Sequence, residues 1–255
     1  MTKTECFGIL FDDGSPDEIT EKALCLIGSD RGVYAVTPNP EIVLAAQRDS
    51  ALREAIESAD LILPDGIGLI WASKLLGRPL RHRFPGIDFA YGLLKELAER
   101  GGSVFLLGAS PGVAQLAGEN LQRAYSGLRI AGTQHGYFVA DEEAPLIDQI
   151  RQSGAELLLV CLGSPKQELW MKRRSAELPG VLMIGLGGAL DVFSGRLRRA
   201  PQHWRKIGLE WLYRLLQEPK RFKRMIRLPE ILWAAMTEKG RKEHEQGKTD
   251  RPGGN

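Results

Sequence analysis

Residues 157–191 read LLLVCLGSPKQELWMKRRSAELPGVLMIGLGGALD. The run Leu157–Leu162 is apolar throughout, as a strand covered on both faces is, and Val181–Gly185 repeats that pattern. The segment near 166–178 between them carries helical periodicity and follows Pro165, a residue favoured at helix starts. Strand, helix and strand in so short a span form the repeating unit of a parallel sheet.

The same alternation extends outward in the N-terminal direction. Further strands are expected at Tyr34–Thr37, Leu61–Leu63, Val104–Leu107 and Arg129–Gly132, with helices near 40–48, 67–76, 88–100, 112–125 and 142–153. The expected fold is therefore α/β, a Rossmann-like parallel sheet with helices on both faces over residues 1–195. In such sheets ligands bind beyond the carboxyl ends of the strands, so the segments that follow each strand are where function is sought.

Composition bounds the alternatives. A chain of 255 residues with 43% hydrophobic and 26% charged residues builds a folded core, which excludes collagenous and low-complexity classes. No stretch approaches the ~20 apolar residues of a membrane span, and Asp12 and Asp13 interrupt the only early apolar run, so a cytoplasmic protein is expected. Cys6, Cys25 and Cys161 stand singly among apolar neighbours and read as small core residues, not as a disulfide framework or zinc site.

Charge is divided unevenly. Residues 1–195 hold 18 Lys and Arg against 25 Asp and Glu, a net −7; residues 196–255 hold 16 against 7, a net +9, and the two give the overall +2. A basic terminal quarter implies an anionic partner such as phospholipid, a phosphorylated substrate or nucleic acid, unless it is simply a solvated face. In 201–218, Trp204, Ile207, Gly208, Trp211, Leu212, Leu215 and Leu216 fall on one helical stripe that Pro219 ends; basic residues and Phe222, Met225, Ile226 and Leu228 follow. Residues 196–239 thus read as a basic amphipathic appendage, either packed on the sheet domain or meeting an anionic membrane surface. Self-association would also mask such a stripe, so a homo-oligomer is compatible with it. From Gly240 the polar chain reads as a disordered tail.

The segments after the strands are TPNPE (37–41), PDG (64–66), LGASPG (107–112), HGYF (135–138), LGSPKQE (162–168) and GLGGALD (185–191). Gly108 and Gly112 flank a strand-to-helix turn able to hold a diphosphate on backbone N–H groups, or a plain tight turn. Gly185, Gly187 and Gly188 admit a ligand to the backbone or let helix and strand pack closely. Asp65 is a candidate base at a strand end, although local sequence by itself favours reading it as the cap of the helix that starts near Ile67. Thr37 and Asn39 offer hydrogen bonds to a polar ligand or organise a turn, and Arg83 offers a bidentate phosphate contact. Gln167 reads as part of a helix start, Asp88 as a helix cap and Asp191 as structural. His135, beside Gly136 and Tyr137, is placed to stack on or hydrogen-bond a base, or is an ordinary loop histidine. No Asp-X-Asp, no GxSxG and no clustered histidines occur, so metal-borne chemistry and hydrolysis lose ground.

Taken in order, TPNPE, PDG, RxxGxD (Arg83, Gly86, Asp88), HGYF, LGSPKQE, GGALDxxxG and RAPxxWRKxGLEWLYRLLxEPKR resemble the WecG/TagA/CpsF glycosyltransferases, family 26, over about residues 32–228. The resemblance implies an inverting, metal-independent transfer, without a cofactor, from a UDP-sugar donor to a polyprenyl-diphosphate-linked acetamido sugar. The best-known members move N-acetylmannosamine onto undecaprenyl-diphospho-N-acetylglucosamine in teichoic-acid linkage-unit or surface-polysaccharide synthesis. Relatives use other donors, so the alternative within the same fold is a different UDP-sugar, glucose or a uronic acid. The resemblance implies Asp65 as base, Thr37 and Asn39 as donor-pocket groups and Arg83 and Gln167 as further active-site groups. Gly108, His135, Tyr137, Gly185 and Gly188 join them as candidate substrate contacts, and Arg214, Arg221 and Arg224 as contacts to membrane or acceptor diphosphate. The enzyme is then expected on the inner face of the plasma membrane as a peripheral protein. A nucleotide- or RNA-binding module with a basic tail is the rival outside enzymes, whereas the family reading includes no nucleic acid.

Overall fold

The computed structural model describes residues 2–206, 208–217 and 229–238. The chain opens with a hairpin, β1 (Thr2–Cys6) and β2 (Ile9–Asp13), paired antiparallel. The main sheet contains β3 (Val33–Val36), β4 (Leu61–Ile62), β5 (Ser103–Gly108), β6 (Arg129–Gln134), β7 (Leu157–Cys161) and β8 (Leu182–Gly185). Its spatial order is β4-β3-β8-β7-β5-β6, every pair parallel. The expected α/β sheet is what the chain forms.

Side-chain alternation explains the uniformly apolar strands. Leu158 and Val160 of β7 enter one buried cluster, whereas Leu157, Leu159 and Cys161 enter another on the opposite face. The first cluster is covered by α2 (Pro40–Ala46), α3 (Ser50–Glu57), α4 (Ile67–Leu75), α7 (Ala140–Ser153) and α8 (Lys166–Arg174). The second is covered by α1 (Pro16–Leu26), α5 (Gly86–Glu99), α6 (Val113–Ala124) and α9 (Ala189–Phe193). After β5 the chain moves on to β6, and after β7 it moves the opposite way to β8, so a topological switch lies between β5 and β7.

Several expectations are corrected. The hairpin, α1 and α3 are additions to the expected elements. Asp12 and Asp13, read as breaks in an apolar run, are both buried and bonded. Asp12 accepts from the Ile62 N–H at 2.9 Å and from Lys22 at 3.1 Å, and Asp13 accepts from Thr4 at 3.0 Å and from the Arg81 backbone N–H at 3.0 Å. Asp12 thereby satisfies a donor of edge strand β4 that no neighbouring strand reaches. Cys25 is exposed, unlike Cys6 and Cys161, because it lies on the outward side of α1. The helix near 166–178 stops at Arg174, with a 3₁₀ turn over Ser175–Glu177.

The single stripe read over 201–218 is divided into α10 (Gln202–Lys206) and α11 (Glu210–Gln217). Gly208 stands between them at φ 76°, where its missing Cβ would lie 3.1 Å from Ile67 at the start of α4. A last helix spans 229–238; its Ile231 and Ala235 are buried in the first cluster, whereas Trp233 and Met236 face outward. The tail expected from 240 lies outside the described residues, as do Phe222, Met225, Ile226 and Leu228.

Candidate active site

The carboxyl ends of β3, β4, β8 and β7 are tied into one arrangement. Thr37, directly after β3, donates its hydroxyl to the Gly185 carbonyl at 3.1 Å, which joins the ends of β3 and β8. The Asp65 N–H donates to the Pro38 carbonyl at 3.0 Å, which pins the loop after β4 to the loop after β3. Asn39 caps α2, its Oδ1 accepting from the Ile42 N–H at 3.0 Å. Gly66, at φ 91°, packs against Pro40, so Asp65 is carried beside Asn39.

Asp65 is not the cap of its own helix. The N-cap position of α4 is Gly66, which has no side chain to offer. The Asp65 carboxylate turns instead to the first residue of α5, where Oδ2 accepts from the Gly86 N–H at a long 3.4 Å. Gly86 is itself confined: a Cβ there would lie 2.9 Å from Thr37 Oγ1, 3.1 Å from Leu186 Cδ2 and 3.3 Å from Thr37 Cγ2. The start of α5 therefore sits between Asp65 and Thr37, and glycine is what lets the three converge.

Arg83, in the loop that leads into α5, is half-buried and donates from Nη2 to the Arg205 carbonyl at 3.2 Å. Asp88 does not act as a cap; it pairs with Arg199 at 2.6 Å and faces Arg205 at 3.8 Å. Arg199 also lies 3.6 Å from Glu210 and 5.8 Å from the centre of the Tyr91 ring. These contacts dock the start of the basic segment onto α5 beside Arg83. A groove of about 830 Å³ runs from the same place between α1 and α5, lined by Thr20, Leu24, Arg83, Phe84, Asp88 and Phe89.

Gln167 is nearly inaccessible, at 4% exposure. Its Oε1 accepts from the Gly187 N–H at 2.9 Å and its Nε2 donates to Glu168 Oε1 at 2.9 Å. Both ends of the amide are engaged within the protein, so Gln167 braces the loop after β8. Gly185 beneath it has no room for a Cβ, which would stand 2.8 Å from Met171 Cε and 3.0 Å from Gln167 Nε2. Gly188 occupies the N-cap position of the short α9.

The remaining candidates gather at the switch between β5 and β7. Gly108, at φ 135°, has a Cβ position only 2.2 Å from the Cys161 carbonyl oxygen, so close strand packing alone requires glycine there. Gly112 caps α6 in the left-handed region. His135 and Tyr137 follow the far edge strand β6, about 19 Å from β3 at ordinary strand spacing. Their loop folds back, for the Gly136 N–H donates to Ala109 at 2.9 Å and Lys166 donates to the Gly136 carbonyl at 3.1 Å. The His135 ring accepts from the Tyr137 N–H at 3.3 Å, and Tyr137 is 72% exposed. Arg221 and Arg224 lie outside the described residues, as does the Arg214 side chain.

Among the described residues no group of three or more His, Cys, Asp and Glu side chains gathers as a bound metal would need. None of the described helices is long and apolar enough to cross a membrane.

This arrangement is held by residues of the seven motifs, and comparison with known proteins identifies its kind. The profile of the Glycosyl transferase WecG/TagA/CpsF family matches residues 4–245. The chain belongs to that family.

Curated WecG/TagA/CpsF relatives align over most of their own length. A Bacillus spizizenii protein named N-acetylglucosaminyldiphosphoundecaprenol N-acetyl-beta-D-mannosaminyltransferase is 37% identical over 210 residues, 82% of this chain and 81% of the relative. A Staphylococcus aureus (strain MW2) protein of the same name is 35% identical over 233 residues, 91% of both chains. A WecG/TagA/CpsF member is a glycosyltransferase, which agrees with a site of polar side chains and backbone N–H groups at the carboxyl edge of a parallel sheet. The family motifs also contain a group that the sequence alone did not single out. Glu168 follows Gln167 in LGSPKQE yet is 1% exposed, and burial pushes its carboxyl above the usual carboxylate range.

Proposed function

We propose that this chain transfers N-acetylmannosamine from UDP-N-acetylmannosamine to N-acetylglucosaminyl-diphospho-undecaprenol with inversion at the anomeric carbon. The observation that carries the reading is the convergence of Asp65 and Thr37 on Gly86, beside the Gly185–Gly188 loop, in a chain so similar to enzymes named for that reaction. Asp65 takes the proton of the acceptor hydroxyl as its oxygen bonds to the anomeric carbon. The bond from that carbon to the diphosphate breaks, and UDP departs with the electron pair. The N-terminus of α6 and the guanidinium of Arg83 stabilise that charge, as donors fixed in place before the reaction do. Thr37 and Asn39 line the donor side. His135 and Tyr137 lie along the β5–β7 switch, where the nucleotide is placed.

Peripheral binding at the inner face of the membrane belongs to the same reading, because a polyprenyl acceptor does not leave the bilayer. The basic segment from 196 onward, with Arg214, Arg221 and Arg224, meets anionic headgroups, and the outward Trp233 and Met236 suit the interface. The division at residue 195 into a catalytic domain and an appendage is part of the proposal.

The decisive experiment is Asp65→Asn, assayed for UDP release from UDP-N-acetylmannosamine with a lipid-diphosphate N-acetylglucosamine acceptor. Turnover is expected to fall by about 10²–10⁴-fold with UDP affinity retained. Since Asp65 does not cap α4 and its bond to the Gly86 N–H is long, stability is expected to change by less than about 1 kcal/mol. Near-normal turnover in the folded variant removes Asp65 from the reaction.

A further inference from the structure

Glu168 is a carboxyl residue buried at 1% exposure, with Oε1 bonded to Gln167 Nε2; the Ser164 hydroxyl and its own backbone N–H also face the carboxyl, but Oε2 makes no well-formed hydrogen bond among the described residues. No cation pairs with it in the described structure, so charge pairing does not account for its burial. Its well-formed hydrogen bond runs to a side chain whose other end holds the loop after β8 at the Gly187 N–H. Gly187 lies in the left-handed region at φ 55°, and other ties of the loop include the Thr37 hydroxyl at Gly185, the Leu186 N–H at Val160 and the Ala189 N–H at Leu186.

An amide has two chemically opposite ends of nearly the same shape, so packing alone does not decide which end faces Gly187. The donor at Gly187 and the acceptor at Glu168 decide it together. Turned over, the amide would set its NH₂ against the Gly187 N–H and its oxygen against an acceptor oxygen of Glu168, losing both bonds at once.

We infer that Glu168 is a positioning residue for the transfer reaction: by accepting from Gln167 Nε2 it fixes the amide so that Oε1 holds the Gly187 N–H and sets the loop 185–188 against the donor. That this loop meets the donor rests on the proposed function. The upward shift of the Glu168 carboxyl, caused by burial, is compatible with this role, because a carboxyl offers an acceptor oxygen to Gln167 Nε2 in either protonation state.

The test is an exchange of the two partners, read as UDP affinity by titration calorimetry and as kcat and KM for UDP-N-acetylmannosamine. Gln167→Glu alone sets two carboxyls against each other and is expected to lower kcat/KM by about 10²-fold, the scale of a small misplacement in an active site. Adding Glu168→Gln restores a donor facing an acceptor, with the carboxylate now at Gly187 and the amide behind it. The double variant is expected to recover to within about fivefold of the parent. Glu168→Met, similar in volume but with no acceptor, is expected to weaken UDP binding and kcat/KM by about 10-fold or more, and to add little to Gln167→Met, because it acts through that residue. A double exchange no better than Gln167→Glu overturns the inference. So does a Glu168→Met protein with parental affinity, or effects that multiply independently. Failure of the underlying reading looks different: the parent protein itself then binds no UDP and releases none, whatever stands at 167 and 168.

Discussion

Gly86→Ala adds one methyl group where the site has least room. That methyl would stand 2.9 Å from Thr37 Oγ1, 3.1 Å from Leu186 Cδ2 and 3.3 Å from Thr37 Cγ2, each inside ordinary van der Waals contact. Thr37 cannot relieve the contact by turning, since its hydroxyl and its methyl both face the glycine and a β-branched side chain is stiff at χ1. The backbone of Gly86 lies outside the left-handed region, so the substitution brings no φ strain, and alanine favours a helix over glycine by up to about 1 kcal/mol. Against that gain stands an overpacking cost of about 1–3 kcal/mol. The net is a loss of about 0–3 kcal/mol, which for a chain of this size lowers Tm by no more than about 12 °C. The functional effect is expected to be larger, because relief comes by pushing Thr37 off Gly185 and the start of α5 away from Asp65. Donor kcat/KM should drop by about 10²-fold. Combining Gly86→Ala with Thr37→Ala removes two of the three close contacts, so Tm should recover while activity does not. Thermal scans and donor kinetics on the three proteins check this. Parental kinetics in Gly86→Ala would show that the junction of Thr37, Gly86 and Asp65 has no part in catalysis.

Three other outcomes are expected. UDP release should persist in excess EDTA, since the proposed stabilisation of the leaving group uses backbone N–H groups and arginine; activity abolished by chelation and restored by Mn²⁺ would contradict it. Replacing Arg214, Arg221 and Arg224 by Glu should weaken binding to anionic vesicles by several kcal/mol at low salt, at about 1 kcal/mol per basic residue, and by less at high salt. Sedimentation with vesicles at two ionic strengths measures it, and unchanged binding removes these arginines from the membrane contact. Glu143 accepts from Arg174 and Arg173, which hold its carboxyl down to about 2. A depressed carboxyl stabilises the fold above the unfolded value near 4.5, and that contribution, about 1–2 kcal/mol after solvent screening, is lost as pH falls toward 2. Glu143→Gln should therefore lower Tm at pH 7 and converge with the parent in acid; an equal gap at every pH would show that the contact to the arginines is not electrostatic.

The parallel sheet was legible because its information is local. Strands buried on both faces must be apolar at every position, and Leu157–Cys161 or Leu182–Gly185 can be read without knowing their neighbours. The helix α1 was equally readable in principle: Ser15 and Glu18 form a reciprocal capping pair with Pro16 at the first turn, a signal carried by four consecutive residues. The hairpin was not readable, since Asp12 and Asp13 look like surface residues until Ile62 and Arg81, far along the chain, supply their partners.

For the site, the sequence by itself determined which motifs stand at the ends of strands, because turn chemistry follows each apolar run and a parallel sheet places all those turns on one edge. It determined the family as well, through the order of seven short motifs. Only the tertiary structure decided which groups each residue meets there. PDG alone favours Asp65 as the cap of the next helix, whereas the structure turns its carboxylate to Gly86, brought to it by the path of the chain between β4 and α5. Gln167 reads as part of a helix start, yet two hydrogen bonds hold it beneath the Gly187 loop. Asp88 reads as a helix cap and instead meets Arg199, 111 positions later. The reason is common to all three: periodicity and turn preference act over a few residues, whereas hydrogen bonds and ion pairs form between whichever groups the sheet order places within about 3 Å.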